Sequence, residues 1–179
     1  MRKFIVFLSF LSFLFGLDSY DVKNWYDAGS YNRVCQDSVR EYFILNQDPA
    51  IANMYANSCL QMDKINELII PVVMLYETKE ARVNASLYAT ILFQKKMLYL
   101  ALVDGVDISY IRTPKVEYIL SIVFDKFVAK EYEVVGDAYR IKLTENSYSD
   151  LLVNEENGIT QMIIAIYEDG RLRSVKKYW

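Results

Sequence analysis

The sequence predicts an α+β protein, with N-terminal stacked helical hairpins followed by a small antiparallel β meander of about four strands. Three observations carry this. From Asp21 to about Ala129, apolar residues recur at steps of three and four. Beyond Ala129 the period falls to two. The dipeptides Gly136-Asp137, Asn157-Gly158 and Asp169-Gly170 then separate β-rich runs, as hairpin turns do.

Ahead of both regions, residues 1–16 read as an export signal. Arg2 and Lys3 begin it, an apolar run from Phe4 to Phe15 follows, and Gly16 offers a small residue at a cleavage point. The run is about a dozen residues, short of the ~20 that a membrane-spanning helix needs. The mature chain is therefore expected to begin near Leu17 and to work in the periplasm, with the membrane met only through the signal before cleavage. An uncleaved anchor is the alternative, because Leu14 and Phe15 are poor residues before a cut. The remaining chain divides into 17–105, the hairpins, and 106–179, a helix plus the meander.

The first clear helix runs from Tyr31 to Leu45, with Val34, Val39, Tyr42 and Phe43 on one side, and stops at Asp48-Pro49. Pro49 suits the first position of a second helix to Gln61, along which Ile51, Ala52, Tyr55, Ala56 and Cys59 align. Asp63 is placed to cap a third containing Ile65, Leu68, Ile69, Val72 and Leu75, which Pro71 must kink or split. Lys79 to Val103 lacks Gly and Pro, so it is one long helix or two joined near Gln94-Lys95-Lys96, ended by Gly105. Thr113 and Pro114 mark the start of another, with Val116, Ile119, Leu120, Val123, Phe124 and Phe127 on one face.

In the meander, Tyr139, Ile141 and Leu143 alternate with Arg140 and Lys142 as a half-buried strand. Ile159 to Tyr167 is apolar on both faces and reads as a central strand, with Leu172 to Tyr178 returning beside it. Such a sheet needs a cover, so it is expected to pack on the helix at 114–129 or to extend another sheet. Arg171, Arg173, Lys176 and Lys177 read as a solvated strand edge, and Trp179 as a cover for that edge or for the last helix.

Composition narrows the chemistry. Hydrophobic residues make up 53% of the chain, enough for a packed core. Without Arg2 and Lys3, 18 basic residues face 23 acidic ones, a net charge of −5 with no general pull towards nucleic acid. Histidine is absent, which removes Ser-His and Cys-His pairs and histidine metal sites. The only cysteines, Cys35 and Cys59, make a poor zinc set. In an oxidising compartment they read as one disulfide; otherwise they are two buried thiols. No metal, cofactor or catalytic residue is assigned. Asp18, Asp21, Asp27 and the pair Glu155-Glu156 do not converge on one face, so the protein reads as a non-enzyme. The Asn84-Ala-Ser86 sequon falls inside a helix.

The segment Gly29-Ser30-Tyr31-Asn32-Arg33-Val34, followed by Asp48-Pro49 and then Ala52, Tyr55, Ala56 and Cys59, resembles a tetratricopeptide repeat. That family has a period of ~34 residues, and one step from Gly29 reaches Asp63 ahead of another apolar helix. The match covers about Trp25 to Glu77 and fades by Met97. It departs at Glu41, where the family has a small residue, and at Pro71. The resemblance implies stacked hairpins with a concave groove. It also implies an assembly adaptor for an envelope protein, because exported members of this family serve that way and in some bacteria surround the polar flagellar motor. A Lys-, Ile-, Tyr- and Asn-rich usage is compatible with such a source and with a role in motility. A Cys35–Cys59 bridge would pin one unit to the next.

Trp25, Tyr26, Tyr31, Tyr55 and Tyr88, with Tyr99 and Tyr110, are the candidates to line a partner-binding face. The alternative for each is packing within the hairpins. A second functional reading is a carrier of a small apolar ligand or lipid, with Phe124, Phe127, Ile163 and Ile164 around the cavity. A third is an exported hydrolase.

Overall fold

The computed structural model describes residues 17–179; the export signal expected over residues 1–16 lies outside them. Among the described residues seven α-helices precede a five-stranded antiparallel sheet, so the chain is α+β.

Helix α1 (Ser19–Asp27) starts where the Asp18 carboxylate accepts from the Asp21 N–H at 2.8 Å. The helix expected from Tyr31 to Leu45 is broken into α2 (Tyr31–Val34) and α3 (Asp37–Asn46). Cys35 and Gln36 leave helical geometry between them, with Gln36 fully extended. This break turns Cys35 towards α4 (Pro49–Gln61), where it bonds to Cys59 with the Cα atoms 5.0 Å apart. Asp48 caps α4 by accepting from the N–H groups of Ala50 and Ile51, with Pro49 in the first turn. Around the disulfide, Val22, Val34, Val39, Phe43, Ile51 and Tyr55 form a first core.

Asp63 does not cap a helix. Its φ is +60°, and a 3-10 turn over Ile65–Leu68 leads into the short α5 (Ile69–Met74). Pro71 is the third residue of α5, within the first turn, where N–H groups have no intrahelical partner. The question left open over residues 79–103 has one answer: α6 is a single helix, Lys79–Asp104, capped by Thr78 and ended by Gly105 at φ +68°. At about 1.5 Å per residue it is a rod of about 39 Å. It touches α4, α5, the 3-10 turn, α7 and two strands.

The helix expected to start at Thr113-Pro114 starts five residues later, as α7 (Ile119–Val128). The Thr113 hydroxyl is engaged elsewhere, accepting from the buried Gln94 side chain of α6 at 2.7 Å. Residues 111–116 are irregular chain, tied to α6 by this bond.

The sheet has five strands where about four were expected: β1 (Glu133–Val135), β2 (Ala138–Lys142), β3 (Ser147–Glu156), β4 (Ile159–Glu168) and β5 (Arg171–Tyr178). Their spatial order is their chain order. The extra strand is β1, three exposed residues ahead of Gly136-Asp137. Asn157-Gly158 and Asp169-Gly170 have positive φ at both positions, the backbone that two-residue hairpins require. One face, carrying Ile141, Leu151, Met162, Ile164 and Tyr178, packs on α6 and α7 in a second core that also takes in Leu68, Leu98, Leu120 and Phe124. That core runs across residue 105. Trp179 does not cover the sheet; it is 56% exposed, and Tyr178, paired with Met162, is the ring turned inward.

Candidate interaction surface

The expected partner-binding aromatics fall into two groups. Trp25, Tyr26 and Tyr31 stand half-exposed at the N-terminal end. The rings of Tyr26 and Tyr31 meet edge to face at 6.0 Å, and the Arg33 guanidinium lies over Trp25. Tyr55 and Tyr88 face the interior, at 1% and 4% exposure, so neither is available to a partner. Both serve inside. The Tyr55 hydroxyl donates to Glu67 at 2.6 Å, and Arg40 donates to the same carboxylate oxygen at 2.8 Å. Burial pushes Glu67 upward, but these two hydrogen bonds outweigh it and hold the carboxyl below its usual range. Burial raises the Tyr88 hydroxyl to about 12. Of the remaining candidates, Tyr99 donates to the Thr160 carbonyl, joining α6 to β4, and Tyr110 is exposed.

Between α1, α4 and the start of α6 lies a groove of about 350 Å³, lined by Tyr26, Asn53, Met54, Leu75, Ala81 and Asn84 among others. Its amides are half used. Asn53 Oδ1 accepts from both Asn84 and Tyr88, which leaves the Asn53 Nδ2 donors and the Asn84 oxygen without a protein partner. Beneath one side, Asn57 donates to the Tyr26 hydroxyl at 2.5 Å. Glu77 and Glu80 line the same groove and form no ion pair among the described residues.

Near the groove, α5 presents an exposed apolar stripe, of which the sequence pattern places Ile69 among the core-facing residues. Ile69 and Val73, one turn apart, are 56% and 74% exposed, and Tyr76 just beyond the helix is 66% exposed. The opposite side, Leu68, Pro71 and Leu75, is buried. The signal was present in the sequence: Ile69 to Tyr76 is apolar on every side, so whichever side packs inward, another is left for solvent. Leu75 and Glu77, the chain neighbours of Tyr76, line the groove, so the stripe ends next to it in the chain.

The residues expected around an apolar ligand do not converge. Phe124 and Ile164 are wholly buried in the second core, whereas Ile163 and Ile164 are consecutive in β4 and point to opposite faces. Phe127 packs among Tyr132 and Tyr139. The carboxylates weighed for catalysis are also dispersed: Asp18 caps α1 and Glu156 pairs with Lys177 at 2.7 Å. Among the described residues no group of three Cys, Asp or Glu side chains is arranged to hold a metal ion. The basic residues of β5 are mostly paired, Arg173 with Glu168 and Lys176 with Asp63.

Compared with family models, curated proteins and solved structures, the chain finds no match in any of the three.

Proposed function

We propose that the protein is a non-catalytic, exported adaptor whose stacked, tetratricopeptide-like hairpins hold a segment of another envelope protein. The observation that carries the reading is the exposed stripe Ile69, Val73 and Tyr76, whose chain neighbours Leu75 and Glu77 line the amide-bearing groove. Apolar side chains gathered on one helix face are costly to leave in water, and a partner that covers them recovers that cost. The half-used asparagines suit an extended peptide, whose backbone offers a donor and an acceptor at each residue. Glu77 and Glu80 favour basic residues flanking the apolar part of the partner.

The disulfide supports work in an oxidising compartment and fixes the first core behind the groove. Service in flagellar-motor assembly remains the resemblance's suggestion for which envelope structure is joined. The open edge at β1, where Val134 is 69% exposed, is a second, shorter contact through which a partner strand can add.

Photo-crosslinkers placed at Val73 and at Tyr76 in intact cells test the reading. A single partner captured in stoichiometric amount is expected from both positions, and Val73→Glu should abolish capture while leaving the circular dichroism spectrum unchanged. Recovery of self-crosslinks alone would overturn it.

A further inference from the structure

About three turns beyond Asn84 on the same face of α6, Lys95 is a buried cation that forms no ion pair among the described residues. Its residue is 2% exposed, and its Nζ donates to Asn66 Oδ1 at 2.6 Å. Leaving an ammonium in the interior with only a neutral partner is unfavourable, because burial penalises charge unless an opposite charge is close. The nearby acids are already occupied. Asp63 holds Lys176 and the hydroxyls of Tyr118 and Tyr178. Glu67 holds Arg40 and Tyr55.

Lys95 is not sealed in. It lines a cleft of about 210 Å³ together with Asn66, Ile65, Lys64, Tyr178 and the exposed ring of Trp179. Two sets of donors converge there. The Lys95 ammonium has two hydrogens beyond the one given to Asn66, and because Asn66 presents its oxygen to Lys95, its NH₂ is left as a donor without a protein acceptor. Exposed Lys64 adds a second cation that forms no ion pair among the described residues. The two carboxylates that line the cleft, Asp63 and Glu67, are held by Lys176 and Arg40, so neither is paired with Lys95.

We propose that this cleft binds a small organic carboxylate, its two oxygens taken by Lys95 Nζ and Asn66 Nδ2 and its apolar body laid between Ile65 and Trp179. A carboxylate offers two acceptor oxygens side by side, matching two adjacent donors. The volume falls below the ~300–1,000 Å³ of sites for larger ligands, which restricts the occupant to a short acid.

The site is coupled to pH. Burial, then the neighbouring Lys96 on α6, lowers Lys95 to about 8. The other ionisable groups lining the cleft are Asp63, Lys64 and Glu67 before and within the 3-10 turn, and Lys177 and Tyr178 on β5. The carboxylate meets the protonated amine, so binding is present below pH 8 and lost as the pH rises through that value. Occupation in turn raises the Lys95 pKa, and complex formation at pH 8.5 takes up a proton.

The test is benzoate, with benzamide as its neutral counterpart, titrated into Trp25→Phe protein so that Trp179 alone reports by fluorescence. Saturable benzoate binding is expected at pH 7, at least tenfold weaker at pH 9.5, with no matching response to benzamide. Lys95→Met should weaken binding at least tenfold. Asn66→Ala, at an exposed position that the fold tolerates, should weaken it three- to tenfold and guards against misfolding of the lysine variant. Equal binding of benzamide, absence of saturation, or indifference to both substitutions would overturn the proposal.

Discussion

The carboxylate of Asp63 accepts from the hydroxyls of Tyr118 and Tyr178 and pairs with Lys176, joining three parts of the chain at one residue. Tyr178 is buried and Tyr118 partly so, which together with Asp63 raises their hydroxyls well above the ordinary phenol range and keeps them neutral donors. Asp63→Ala strands two buried donors and is expected to cost about 2–3 kcal/mol, since an orphaned buried group loses its full solvation. Asp63→Asn keeps an acceptor for both hydroxyls and loses mainly the largely buried ion pair with Lys176, so a smaller cost of about 1–2 kcal/mol is expected. Urea denaturation of the two variants measures the contrast. The disulfide acts differently, through the unfolded chain. Bridging residues 24 apart removes loop freedom worth about 3 kcal/mol in the chain-entropy model. The Cys35→Ser, Cys59→Ser double variant should lose about that much in the same assay, and reduction of the parent protein should give a similar loss.

At the scale of elements, legibility followed how local the cause was. Helix α4 and the end of α6 were readable because Asp48-Pro49 and Gly105 act on their own backbone. The break between α2 and α3 was not, since Cys35-Gln36 carries no Gly or Pro and the bend belongs to a bond with a residue 24 positions away. Thr113 looked like a cap because its hydroxyl is free in sequence; in space Gln94 claims it. Periodicity finds a helix face but not which side of an all-apolar helix meets solvent, and for that reason Ile69 joins Leu68, Val72 and Leu75 in the sequence pattern yet stands exposed in the fold. The same limit placed Tyr55 and Tyr88 on a binding face when their rings fill the interior, whereas Tyr26 does reach the groove. Strands β2, β4 and β5 were legible through alternation and turn dipeptides, whereas β3 was implied only by the count and β1, three exposed residues, carries no alternation. Being exposed, Val73 should accept Glu at a cost within about 0.5 kcal/mol. A melting temperature that falls markedly in Val73→Glu would show that the stripe is packed in the free protein.

For the whole molecule, α6 is the common wall: helices α4 and α5 lie against it, and α7 and the sheet do too. The groove and stripe lie by its N-terminal half and the carboxylate cleft near Lys95, so two surfaces of different chemistry share one rigid support. The sheet beside it has no crossover, and three of its four connections are two residues long. Its strands can zip in succession with little chain to gather at each step. Seating them on the helices is another matter, since Tyr99 must find Thr160 across 61 residues and Asp63 must find Tyr178 across 115. Docking, not strand pairing, is therefore the slow event of refolding. In stopped-flow experiments Asp63→Ala should slow the approach to the native state, and Asn157→Gly, which loosens a hairpin turn, should leave that rate nearly unchanged.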